Sequence, residues 1–555
     1  MHPTTRIVFG SLILSSLLAA SCASDSAKKV SSKPHLEKLG KHSFKITTSS
    51  ADAQRAFDRG LNLAYSFGHY AAEQEFRRAI EADPNCAMAY WGIALVCGPH
   101  INFPLVPPDK AATAWESLTQ AKRLAPKCSP LEQALIKALE ARYANPQPED
   151  RSPLDSAYAD AMRKVRTSYP RSADVAALCA EAEMDLHPWD FWKNDAPQPW
   201  TREIVDTLEA ALQLDRNHPG ANHFYIHVLE ASPDPMKALP AAKRLPALVP
   251  DSSHMVHMPA HIYSRIGRWD DAAEANRQAM KVDALYRAVY PRPGLYAMYM
   301  THNTHFLAWV SMMQGRSAEA LSCARKMVDG IPDDFLKEYG PIADGYLAIV
   351  PETLMRFGKW EEILKEPEPR EDLFLARALW RYTRVVALTA LDRKTEADSE
   401  REAFAKAVAA VPKDRTMGNN SAADLLAIAT LVVDGGMLAR ADHLEPAIVK
   451  LQEAVQREDK LRYDEPPDWI QPVRHTLGAV LLRAKRATEA EAVYRGDLKR
   501  NPENGWALMG LRDALQQQGR KEEAAKVDQR FHKAWSTADV SPETTCYCQA
   551  GSRKK

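Results

Sequence analysis

Gly267-Arg-Trp-Asp-Asp-Ala-Ala-Glu-Ala275 reads as the end of one helix and the start of the next. The glycine closes a helix, and an acidic first turn with small residues opens another. The same turn returns at Gly315-Arg-Ser-Ala-Glu-Ala320. Working outward, Ala238 and Ala272 stand 34 residues apart, as do Ala490 and Ala524, and Arg216 and Pro250. Ala72-Phe76-Pro84 and Ala490-Tyr494-Pro502 share one pattern: a small residue, an aromatic four later, then a proline stop. A small residue lets two helices approach closely, and proline ends the second. No period-2 alternation of any length appears, so an all-α chain is expected.

The 34-residue period and the small-residue positions resemble the tetratricopeptide (TPR) repeat. Some units are longer: Pro84 to Pro126 spans 42 residues and Gly267 to Gly315 spans 48. These read as insertions, among them Gly98-Pro-His-Ile-Asn-Phe-Pro104 and His187-Pro-Trp-Asp-Phe-Trp192. The fold class expected is a TPR-like α-solenoid of about a dozen antiparallel helix pairs between residues 50 and 535. Cys86-Ala-Met-Ala-Tyr-Trp-Gly92 and His257-Met-Pro-Ala-His-Ile-Tyr263 further resemble stretches of bacterial TPR lipoproteins. That resemblance implies an exported scaffold whose concave groove binds a partner protein, a peptide or a small ligand.

The N-terminus reads as an address. Arg6 precedes an apolar run, Ile7–Ala20, and then Ser21-Cys22. This is a secretory layout, too short to span a bilayer. Leu17-Leu-Ala-Ala-Ser-Cys22 resembles a bacterial lipobox, with Ala19 where leucine is usual. The resemblance implies a lipid on Cys22 and a protein held on the membrane of the cell envelope, facing the periplasm; simple signal-peptidase cleavage is the alternative. The expected divisions are 1–22 signal, 23–47 flexible tether, 48–415 repeat array with the groove, 416–535 further helix pairs, and 536–555 disordered tail. The remaining seven cysteines are widely spaced and form no dense disulfide framework. Cys546-Tyr-Cys548 is the exception and is read as a metal-binding or redox pair.

Of the 555 residues, 72 are Lys or Arg and 72 Asp or Glu, so the net charge is zero. That balance argues against a nucleic-acid partner, which needs a basic footprint. A mean hydropathy of −0.39 argues against many membrane spans. Phosphate-cradling glycine loops and a Gly-x-Ser-x-Gly elbow are absent, so nucleotide and serine-hydrolase chemistry have no support.

Histidine supplies the informative chemistry. Eight of the 17 histidines lie between residues 218 and 305, and seven of those form three groups. The groups are His223 and His227 with Glu230; His254, His257 and His261; and His302 and His305. Each spacing keeps its members on one face of a helix. Taking Ala238, Ala272 and Ala320 as position 20 of their repeats puts these residues at positions 5, 9 and 12; 2, 5 and 9; and 2 and 5. In TPR proteins positions 2, 5, 9 and 12 line the concave groove, so the resemblance implies that all eight side chains face one groove. Imidazoles converging from neighbouring helices would suit Zn, Cu, Fe or Ni. The spacing is not His-Glu-x-x-His, so a zincin-type protease is not supported.

Two readings stand side by side: a groove for a partner, and a metal site or metalloenzyme. Glu181 and Asp185, on the preceding first helix, are candidates for ligand, outer-shell partner or base. Trp189, Phe191, Trp192 and Trp200 form either a lid or filler between helices. Tyr463-Asp-Glu-Pro-Pro-Asp-Trp469 reads as a proline-defined helix start, and His475 as too distant to join.

Overall fold

The structure is a computed structural model that describes residues 36–291 and 294–549; Cys22 and the 1–22 signal lie outside them. Among the described residues, helices follow one another as twelve antiparallel pairs, from Ala51–Ala64 with His69–Ala82 to Gly505–Gln517 with Lys521–Ala534. Strand among the described residues is confined to two short hairpins, Trp192–Lys193 with Ala196–Pro197 and Thr416–Met417 with Asn420–Ser421. The molecule is an all-α solenoid.

The repeated sequence pattern has a packing cause. Phe76, on the second helix of its pair, wedges between Gly60 and Gly92 on two successive first helices. A Cβ at either glycine would stand 2.7 or 2.6 Å from the ring. Tyr494 does the same between Gly478 and Gly510, at 2.3 and 2.2 Å. Glycine on the first helix and an aromatic on the second therefore set the distance between pairs. The turn within a pair demands a left-handed residue: Gly267 has φ +77° and Gly315 φ +71°. Behind Gly267, the Arg268 N–H donates to Tyr263 O, which closes the preceding helix.

Two boundaries differ from expectation. The described part of the expected tether 23–47 is packed: Leu36, Leu39 and Ile46 are buried. The Glu37 and Lys38 N–H groups donate to Asp251 at 2.8 and 2.7 Å, and Thr47 N–H donates to Glu132 at 2.7 Å. Apolar residues every few positions make 36–47 a docked strap. The expected disordered tail is also docked as far as residue 549. Asp539 accepts from the Ser317 and Ala318 N–H groups, Thr545 Oγ1 donates to His475 O, and Tyr547 meets Trp506 edge-on. Cys546 and Cys548 form a disulfide there, with Cys546 buried.

No division falls at 415–416; residues 36–549 belong to one compact unit. Its interior holds two apolar cores, one drawn from Leu36 to Met300 and the other from Ala260 to Phe531. They overlap along the helices that follow Ser253. The Ala422–Arg440 helix is long and apolar enough to span a bilayer, yet it buries Leu425, Ile428, Val433 and their neighbours in the second core.

Candidate metal centre

The histidines come from three consecutive first helices. His223, His227 and Glu230 lie on Pro219–Glu230. His254 and His257 lie on Ser253–His257, and His261 on its continuation Pro259–Arg265. His302 and His305 lie on Tyr296–Met313. Pro259 lacks an N–H and so breaks the middle helix into two segments, without turning His261 off the shared face.

The side chains sort into two sets of three. His223, His227 and His254 each offer a ring nitrogen within 4.8 Å of the others, and so do His257, His261 and His302. In repeat terms both sets are one constellation: positions 5 and 9 of a first helix and position 2 of the next. The i, i+4 pair shares a helix face, and the third ligand arrives across the seam between helices. A third copy is started and not completed. His305 stands at position 5, but position 9 is Trp309. His305 packs edge-on against Tyr346 and joins neither set.

Far-side hydrogen bonds fix the tautomers. His257 Nδ1 lies 2.7 Å from Asn276 Oδ1, whose amide is oriented because Asn276 Nδ2 donates to Ala272 O. His257 Nδ1 therefore carries the proton, and neutral His257 turns a bare Nε2 inward. That Nε2 is 2.8 Å from His261 Nε2 and 3.0 Å from His302 Nε2. His261 Nδ1 faces two carboxylates, Glu230 Oε2 at 3.0 Å and Glu465 Oε2 at 3.4 Å, so it too is protonated. Two lone pairs then meet head-on at 2.8 Å unless a cation, metal or proton, lies with them. Nitrogens bound to one metal at about 2.1 Å stand about 3.0–3.4 Å apart.

In the other set two far nitrogens are held, while His254 Nδ1 is buried with no hydrogen-bond partner. His223 Nδ1 donates to Tyr65 O at 2.7 Å, and its Nε2 is 3.0 Å from His254 Nε2. His227 Nδ1 meets Glu230 Oε1 at 3.2 Å, leaving His227 Nε2 buried with no hydrogen-bond partner. Phe67 covers this set at 4.7 Å from His223, and Phe306 covers the other at 5.1–5.8 Å.

Burial, reinforced by neighbouring imidazoles, pushes His223, His254, His257 and His302 well below the ordinary histidine value. Burial lowers His227 as well. His261 is the exception. Burial opposes its charge, but Glu230 and Glu465 push it up to about 10. Burial would raise Glu230; His261 and His227 bring it down to about 2. Without a metal, the cation between His257 and His261 is the His261 proton. The neutral imidazoles around it are the form that ligates transition metals.

Several expected partners sit elsewhere. Asp185 accepts from Arg142 Nη2 at 2.6 Å, and Glu181 lines a small cavity with Tyr65, His69 and Arg142. Burial raises both, Glu181 to about 8 and Asp185 to about 7. Neither belongs to a histidine set. Of the four aromatics in the insertion, Trp189 meets His227 edge-on at 5.3 Å. Phe191 is buried, and the Trp192 and Trp200 indoles donate to Val228 O and Asp190 O, so they fill space between helices. His475 pairs with Asp497 at 2.9 Å, apart from the centre.

Glu465 is the residue that sequence reading passed over: the 463–469 stretch does more than start a helix, since Glu465 accepts from Ser264 Oγ and pairs with His261. Another His/Asp group, His42, Asp174 and His218, is satisfied without an ion. Asp174 Oδ1 accepts from both Nε2 atoms and from Tyr65 OH, while His218 Nδ1 accepts from Ala221 N–H.

Helix pairs stacked through glycine–aromatic wedges around an inward histidine stripe define a TPR-like helical-repeat protein with a buried imidazole centre. No protein-family model matches the chain, and no curated protein matches it. Similar solved structures include the human IFIT1 dimer with m7Gppp-AAAA: 11% identity, TM-score 0.32, covering 77% of this chain and 86% of that one. The APC/C hetero-tetramer Cut9–Hcn1 has 12% identity and TM-score 0.32, covering 87% of this chain and 76% of that one. Yeast Tom70 has 11% identity and TM-score 0.29, covering 87% and 90%.

Proposed function

We propose that this protein binds two transition-metal ions, one in each three-histidine set. One observation carries the reading: His257 and His261 turn Nε2 atoms toward each other at 2.8 Å, while Asn276 holds the far nitrogen of His257 and two carboxylates lie 3.0 and 3.4 Å from that of His261. Such outer partners fix the tautomer and raise ligand basicity at metal-bound histidines. Copper is the ion of choice. An all-imidazole set suits it, and it heads the affinity order among divalent first-row metals.

Metal analysis of protein purified without chelator tests the reading. We expect two ions per chain, falling to one when His257 and His261 are both replaced by alanine. Protein that holds no Cu, Zn, Fe or Ni after reloading overturns it.

Partner binding is the second reading, on the helical-repeat architecture itself. A peptide lying against the histidines has burial against it, since His223, His227, His254, His257 and His261 are all 4% exposed or less. A protein partner would dock on the outer faces of the pairs. The address at residues 6–22 and the Cys546–Cys548 disulfide support an exported, lipid-anchored protein, because disulfides persist in oxidising compartments. Replacing Cys22 with alanine should release it from the membrane fraction; a variant that still sediments with membranes refutes the anchor.

A further inference from the structure

We infer that the two sets act as one dinuclear centre whose ions share a single small anionic ligand from outside the protein; this rests on the metal reading above. The sets abut. His227 and His261, both at position 9, have ring centres 6.2 Å apart, as do His254 and His257. Ring centres within a set are 4.7–5.8 Å apart. The gap between sets is therefore little wider than the gaps inside them.

Glu230 ties the sets from behind, with Oε1 on His227 and Oε2 on His261. Both its oxygens are directed at Nδ1 atoms, away from the inward Nε2 atoms. Glu465, the other carboxylate in contact with the sets, also faces His261 Nδ1. With metal in place of the proton between His257 and His261, all six inward ligand atoms are imidazole nitrogens, and among the described residues no contact places a protein anion between the sets. Paired divalent ions are ordinarily clamped across a shared oxygen or anion. Here that bridge has to come from solution. The walls, Phe67 and Phe306, donate no hydrogen bond and leave the ligand to be chosen by size and charge. The class is a linear anion of about three atoms, such as azide, because facing rings of the two sets are 6.2 Å apart and a single atom bound at about 2.0–2.1 Å to each ion spans no more than about 4 Å.

Azide added to protein carrying two Cu(II) per chain is the test, read by electron paramagnetic resonance and absorption. Each Cu(II) has one unpaired electron, and a shared bridge pairs the two spins. We expect most of the copper signal to vanish as azide is added, and the azide-to-copper absorption to saturate at one azide per two copper ions. His302 is the least buried ligand, so H302A disturbs the fold least. It should hold one copper with full signal that azide does not quench. Two bound coppers that keep full signal, or that take one azide each, overturn the inference and leave the metal reading intact. A chain that binds no copper overturns the metal reading itself.

Discussion

At the scale of single residues, the centre depends on groups that never touch the ion. Asn276 holds the His257 proton on Nδ1. Asn276→Ala frees the ring to flip its tautomer, and losing such a partner ordinarily lowers metal affinity about 10- to 100-fold. Chelator competition on this variant should show that loss at one of the two ions, with helicity retained; equal affinities would refute the orienting role. His305 is the internal control. His305→Ala should keep two ions per chain, because Trp309 leaves its repeat without the second ligand; a fall to one ion would contradict the assignment of sets. The sequence showed the stripe through its 5, 9 and 2 positions, which are local spacings on a helix. It did not show Glu465, which comes from more than 200 residues downstream of His261 in a stretch whose prolines describe a helix start equally well. Nor did it show the Tyr65 carbonyl, since a backbone acceptor leaves no trace in residue identity. Glu181 and Asp185 share the i, i+4 spacing of His223 and His227, but Asp185 is paired with Arg142 and Glu181 lines a cavity beside that arginine.

At the scale of elements, the glycine–aromatic wedge and the N-terminal strap each make a prediction. Gly510→Ala puts a methyl 2.2 Å from the Tyr494 ring, and overpacking of this kind costs about 1–3 kcal/mol. Denaturant unfolding should show that loss, with partial recovery in a Tyr494→Leu background; an unchanged midpoint would mean the wedge is slack. In the strap, His42 Nε2 donates to Asp174 Oδ1 at 2.8 Å. Burial opposes the His42 charge, but Asp174 prevails and raises its pKa. Burial likewise opposes the Asp174 charge, and His218 and His42 outweigh it to lower that pKa. The His42 contribution is therefore complete below about pH 6.5 and is lost as pH rises through its raised value. The Asp174 contribution is complete above about pH 3.9 and is lost as pH falls through its depressed value. Amide exchange in residues 36–47 should slow as pH is lowered from 8.5 to 6.5, after correction for intrinsic rates. His42→Gln should abolish that trend, and a trend that survives would exclude the His42–Asp174 pair as its cause. These ends escaped the sequence reading because polar composition describes a docked strap and a free tether alike. The helix pairs did not, because periodicity and small residues are local.

At the scale of the whole molecule, the centre lies where the two apolar cores overlap. His254, His257 and His261 sit on the helix segments whose Met255 joins the first core and Ala260 the second. Metal bound only by the folded protein adds about 4 kcal/mol at a thousandfold excess over its dissociation constant. Copper-loaded protein should therefore melt in one transition above that of the chelated protein, and chelation should separate the two cores into successive transitions. Coincident melting with and without metal would show that the centre does not join them. The repetition of one constellation along the array has another consequence. A site assembled from positions 5 and 9 of one unit and position 2 of the next belongs to the seam between units, so duplicating the middle unit, which alone has histidine at all three positions, would carry a complete new site with it. Metal capacity could then grow by lengthening the chain, with no new cavity.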